Sequence, residues 1–217
     1  IEIFPVVNAM FELIAGKSPY KSPTDMGVNM AGNCIVDDAV CCEASRKEIV
    51  RRYYQAMCDL RTGRGEESAV AKIELLMNKA EITVDINPTV AASLRKAEET
   101  GMPAVAIELP DGQVITGKTS SLLGASSAAL LNALKVLAGL DDSLHLIAPE
   151  VIEPIQHLKI SHLGNHNPRL HTDETLIALS ISAVTDPNAE RAMEHLAELS
   201  GCDAHSTVIL SQVDTDV

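Results

Sequence analysis

The chain has 217 residues, of which 46% are apolar and only 2% aromatic, and a formal net charge of -13. That length suits one large domain or two small ones, with a core of Leu, Ile, Val, Ala and Met. The acidic balance argues against nucleic acid and against anionic membranes as partners, and no apolar run is long enough to span a bilayer.

In chain order, FPVVNAMFELIAG carries apolar residues at helical spacing and stops at Gly16. Residues 17–33 have loop chemistry. Long ordered loops are often functional, so Thr24, Asp25 and Asn29 are ligand-facing candidates; the alternative is a connector in which Asp25 caps a helix. EASRKEIVRRYYQAMCDLRTG predicts a helix with Ile49, Tyr53, Ala56 and Leu60 on one stripe, ended by Gly63, and EESAVAKIELLMNKA predicts another. Together these predict a helical subdomain over residues 1–80.

Over residues 81–217 the pattern becomes α/β. ITVDIN reads as a strand, and Asn87-Pro88 as the cap and first position of a helix that stops at Gly101. AVAIEL and QVIT read as strands around a Pro-Asp-Gly turn. A helix rich in small residues follows, SSLLGASSAALLNALKVLAG, then one interrupted near Pro154. Two more helices are capped by Thr172 and Asp186, and STVILS reads as a closing strand.

DGQVITGKTSS spells G-x-x-x-x-G-K-T from Gly112 to Thr119. A phosphate loop needs a loop between its glycines, whose N–H groups point inward, and a helix opening at the Lys. Here Gln-Val-Ile-Thr is strand composition and Pro-Asp-Gly is hairpin punctuation, so a Walker-type ATPase is not expected. What remains is a strand-to-helix turn: Gly117 turns the chain, Thr119 or Ser120 caps the helix, and Lys118 beside its N-terminus is an anion-binding candidate.

SHLGNHNPRLHTDE is polar and turn-rich, a candidate active-site loop leading into a helix N-terminus. Arg169 suits a carboxylate or phosphate, Asn165 is a ligand-binding candidate, and His166, His171 and Asp173 are candidates for proton transfer. GCDAHS adds Cys202 and His205, the latter also a ligand-binding candidate. These two with His166 and His171 form a weak zinc set, half a motif without a matching partner pair, so no metal is assigned. A Cys202/His205 nucleophile–base pair is equally speculative, and a buried thiol with a backbone-satisfied histidine is the favoured reading. H-E-x-x-H is absent, as are the deaminase motifs H-x-E and P-C-x-x-C. The five cysteines are irregularly spaced and read as reduced thiols of a cytoplasmic protein, and the start without Met reads as a fragment or processed product.

SPTDMGVNMAG, GKTSSLLGASSAALLNALK, VIEPIQHLKISHLGNHNPRLHTDETLIALSISA and GCDAHSTVILSQVD together resemble a bacterial family of unknown function, some of whose members carry the label "ATP-dependent zinc protease". The resemblance covers essentially the whole chain and implies the C-terminal portion of a longer protein. It also implies a helical subdomain followed by a three-layer α/β subdomain similar in topology to cytidine deaminases. It implies no activity, since function lives in the site and not the fold.

The expectation is therefore part of an enzyme acting on a small anionic, phosphorylated or nucleotide-like metabolite, with no cofactor assigned. The 22–32 loop, Lys118 with Thr119, and the Asn165–Asp173 loop would converge on one pocket. The alternative is a non-catalytic assembly module that packs against the N-terminal remainder of the same protein or forms a homo-oligomer, and so presents a broad apolar face.

Overall fold

The computed structural model describes residues 3–20 and 38–217. The chain divides into two compact units, residues 1–87 and 88–217. The loop carrying Thr24, Asp25 and Asn29 lies outside the described residues.

The first unit is helical: α1 (Phe4–Ala15), α2 (Asp38–Arg61) and α3 (Glu67–Lys79), then a single 3-10 turn, Val84–Ile86. Gly16 ends α1 in the left-handed conformation, and its N–H bonds to the Glu12 carbonyl, the αL stop that glycine permits. Ile49 and Val50 of α2 are buried, as are Val70, Leu76 and Met77 of α3, which packs against it. The expected strand over ITVDIN is not formed. Ile86 N bonds to the Thr83 carbonyl and Asn87 N to that of Val84, so the run closes on itself. Its β-branched residues lack a neighbouring strand, and propensity yields to context.

The second unit is mixed: α4 (Pro88–Thr100), β1 (Ala104–Glu108), β2 (Val114–Lys118), α5 (Ala125–Leu137), α6 (Pro149–Ser161), α7 (Thr172–Ser182), α8 (Pro187–Glu194), a 3-10 turn Leu196–Leu199, β3 (Ala204–Ser206) and α9 (Gln212–Asp216). The fold class is thus α/β, as expected. The sheet is ordered β2-β1-β3 and its pairings are antiparallel, with Val105 opposite both Gly117 and Ser206. Asp111 and Gly112 make the hairpin turn, Gly112 at φ 85° donating to the Leu109 carbonyl.

Helices α4 and α5 both pack on β1 and β2. Val105 and Ile107 pack against Ala125 and Ala129 of α5. Gly117 lets this helix approach closely: a Cβ there would lie 2.1 Å from the Ala129 nitrogen. A second cluster, including Leu134, Leu146, Ile152, Leu170 and Leu179, gathers α5 to α8 into one core.

Two further expectations are corrected. α6 runs unbroken through Pro154, which is exposed on its second turn, so one backbone bond near the helix start is lost without a break. The closing strand is Ala204–Ser206, and not STVILS. Past Ser206 the chain folds over its own hydroxyl, which accepts from Val208 N. No helix among the described residues is long and apolar enough to cross a membrane.

Candidate active site

The phosphate-loop pattern dissolves on folding. β2 separates Gly112 from Lys118 as extended chain, and Gly117 lies within the strand and does not turn it. Lys118 stands exposed as the last residue of β2, and α5 opens seven residues later with Gly124 as its cap, in place of the expected Thr119 or Ser120. The Ser120 hydroxyl instead accepts from the Leu122 and Leu123 amides, making the intervening turn.

The α5 N-terminus nevertheless opens into a cavity of about 290 Å³, whose walls include Thr119, Ser126, Asn167, Arg169, His171 and Asp214. The first backbone bond of α5 is Ala128 N to the Gly124 carbonyl, so the amides of residues 125–127 have no intrahelical acceptor. Gly124 brings no side chain to cap them.

Arg169 reaches this place by a chain of local turns. Gly164 at φ 67° follows α6, the Asn165 carboxamide accepts from Asn167 N, and the Asn167 carboxamide accepts from Arg169 N. The Arg169 Nε donates to the Ser120 carbonyl at 2.7 Å. Among the described residues its terminal nitrogens have no hydrogen-bond partner and no carboxylate forms an ion pair with it.

His171 is the cap residue of α7, and its N–H donates to Glu174 Oε2 at 2.9 Å. Its Nδ1 lies 2.8 Å from Asp214 Oδ2. The Ser211 hydroxyl donates to that same oxygen at 2.8 Å, while Thr172 N donates to Oδ1 at 3.1 Å. Burial pushes the Asp214 carboxyl up, but the bonds from His171, Ser211 and Thr172 outweigh it and hold it below the ordinary aspartate value. Asp214 is therefore the acceptor and Nδ1 carries a proton, and in the neutral ring Nε2 presents the lone pair. Ser211 and Asp214 share one ring nitrogen, so the trio is not a serine-nucleophile triad, which needs them on opposite nitrogens. It is an Asp–His pair held at Nδ1, with no hydrogen-bond partner of Nε2 among the described residues.

Because the Asp214 value is depressed, its stabilisation is fully present above the ordinary 3.8 and is lost below it, as pH falls through the lowered folded value. The protonation step of the Asp214 carboxyl itself, followed by NMR of its carboxyl carbon, is expected only below about pH 4. Protonation of that carboxyl centred above pH 5 would contradict this assignment.

Of the remaining candidates, His166 and Asn165 are exposed in the loop and Asp173 is exposed on the first turn of α7. His205 sits on β3 opposite Ala106, where burial lowers its basicity. Cys202 is held above the ordinary thiol value by burial and by the charges of Asp203 and Glu108, a poor setting for a nucleophilic thiolate. Among the described residues no three His, Cys, Asp or Glu side chains are placed to hold a metal ion, so Cys202, His205, His166 and His171 do not assemble as a set. Sequence reading missed Asp214, Ser211 and Ser126. Ser211-Gln-Val-Asp214 is a Ser-x-x-Asp cap signature, and Ser211 Oγ does accept from Asp214 N; that signal was present.

Residues 85–217 match the family described as "Domain of unknown function DUF1846, C-terminal", and residues 1–81 match "Domain of unknown function DUF1846, N-terminal". The chain is thus not confined to a C-terminal portion, as the resemblance had implied. The "UPF0371 protein" of Corynebacterium glutamicum (strain R) is 55% identical over all 217 residues, and so is that of Streptococcus pyogenes serotype M5 (strain Manfredo). In both comparisons the chain covers 44% of the relative, so it spans under half the length of these curated relatives. With matches running through both units and more than half the positions shared with these relatives, the chain belongs to the DUF1846 family.

Proposed function

We propose that the second unit carries the site of an enzyme that binds the anionic group of a small metabolite, a phosphate or carboxylate, and moves a proton at the atom beside it. Arg169 and the α5 amides take the anion, with Thr119 and Ser126 as hydroxyl contacts, and His171 acts through Nε2 as base or acid. The observation that carries this reading is the Arg169 guanidinium, held at Nε by the Ser120 carbonyl and without a salt-bridge partner among the described residues, in the same cavity as an imidazole whose Nδ1 is held by a carboxylate. The metabolite is small because the cavity has about 290 Å³. Its apolar body would meet Val208, Ile209 and Leu210. The compartment is reducing, a reading supported by Cys41, Cys42, Cys58 and Cys202, which are thiols.

Inorganic phosphate, acetate and a phosphorylated sugar, titrated in turn, are expected to raise Tm in at least one series. Arg169→Met is expected to weaken that ligand about ten- to a hundredfold, since hydrogen bonds to charged groups contribute roughly 1.5–3 kcal/mol. A Tm that none of the three moves, read in wild type, sinks the reading.

One observation favours a second reading, in which part of the molecule serves assembly. On α1, Val6, Met10, Leu13 and Ile14 share one face with Ile3 at its N-cap, and all are exposed, Leu13 at 87%. The occupant we assign to it is the polypeptide that the longer relatives carry beyond the matched stretch. Hydrogen exchange at Val6 to Leu13 is expected to slow in the full-length family protein relative to the present chain; equal exchange in both would remove this assignment.

A further inference from the structure

We infer that Lys159 of α6 and Glu174 of α7 are a positioning pair that sets Arg169 and His171 for ligand and proton. The inference depends on the cavity being the anion site proposed above.

Lys159 is only 2% exposed, and a lysine so placed is rare unless it is paired. Its Nζ donates to two acceptors, the Arg169 carbonyl and Glu174 Oε2, both at 2.6 Å. Glu174 Oε2 in turn accepts from His171 N. The ion pair therefore grips the backbone on either side of Leu170, at the carbonyl of the anion-binding residue and the N–H of the proton-transfer residue. The opposite side is held by α5 and the turn before it. Leu170 N donates to the Leu122 carbonyl, and the Leu170 carbonyl accepts from Gly124 N and from Ser127 Oγ.

Every backbone polar group of residues 169–171 thus has a partner, local ones from Asn167 to Arg169 N, from Glu174 to His171 N and from Thr175 N to the His171 carbonyl, and distant ones at the three groups between. Holding a short loop this way does not require a buried charge pair, since apolar packing would stabilise it as well or better. What the pair adds is direction: it fixes where the Arg169 and His171 side chains leave the backbone, the preorganisation a site needs. Neither residue lines the cavity, so both act through the residues they hold.

The test compares Lys159→Met and the double variant Lys159→Met/Glu174→Gln with wild type. Gln keeps an acceptor for His171 N and leaves no unpaired charge. Two readouts are needed, inorganic phosphate binding and the His171 tautomer from imidazole nitrogen NMR, with His171→Gln used for assignment. In wild type the Nδ1–H form is expected. In the double variant Tm is expected to recover, while the tautomer averages towards that of free histidine and phosphate binding stays weakened by about tenfold. If Tm, tautomer and phosphate affinity all recover together, the pair is merely structural and the inference is overturned. If wild type binds no phosphate but the double variant still loses the tautomer, the positioning role is supported and only the anion assignment falls.

Discussion

Gly117→Ala is expected to cost the second unit about 3 kcal/mol or more, at the top of the range for overpacked cores, and to lower Tm by roughly 10 °C for a unit of this size. The added Cβ would stand 2.1 Å from the Ala129 nitrogen and 2.6 Å from the Ala128 carbonyl carbon. Both are helix backbone atoms and cannot rotate aside as a side-chain tip can, so either β2 or α5 must move. Gly117 is not in the left-handed region, which makes the requirement one of space and not of backbone angle. The small residues facing it explain the Ala-rich face of α5, where Ala129 and Ala133 are fully buried. Any shift of α5 also displaces Gly124 and Ser126 in the candidate site, so ligand binding should fall with stability. A Gly117→Ala protein melting within about 2 °C of wild type would mean that the helix and sheet do not approach as described.

Lys159→Met is expected to cost about 3 kcal/mol, the lower end for removing one partner of a buried ion pair. The lower end applies because the Glu174 side chain is 25% exposed, so water screens part of the charge left behind. The Arg169 carbonyl loses its partner as well. Adding Glu174→Gln should restore most of the loss, since what destabilises the single variant is chiefly the uncompensated carboxylate. Urea unfolding with a common m-value measures both differences. If the single variant loses under about 1 kcal/mol, the pair is better solvated than its burial indicates.

Local chemistry made much of the architecture legible. Pro88 opens α4 and Gly101 stops it, Pro-Asp-Gly turns β1 into β2, and the Asp186 carboxylate caps α8 by accepting from Asn188 N. Each is decided by neighbours a few residues away, which is why a sequence window suffices. ITVDIN and STVILS failed for the opposite reason. A strand needs a partner strand, and the window does not contain one.

The site divides along the same line. Arg169 and His171 could be read from the polar, turn-rich loop, and Thr119 from the end of β2, because residue type and turn chemistry mark them. The partners that give them their chemistry could not. Asp214 is 43 residues from His171, and Lys159 is 15 from Glu174 on another helix. Lys118 shows the reverse case, a lysine placed by motif beside a helix that begins elsewhere.

By itself, then, the sequence determined the acidic α/β character, most helix boundaries and the turn chemistry of the 161–174 loop, since these depend on composition and short-range hydrogen bonding. Tertiary structure alone decided that Gly117 is a contact point between strand and helix, that Asp214 bonds the His171 ring, and that a buried Lys159 bridges the Arg169 carbonyl and Glu174. Those three relations come from close packing and desolvated charge, which exist only once distant segments have met.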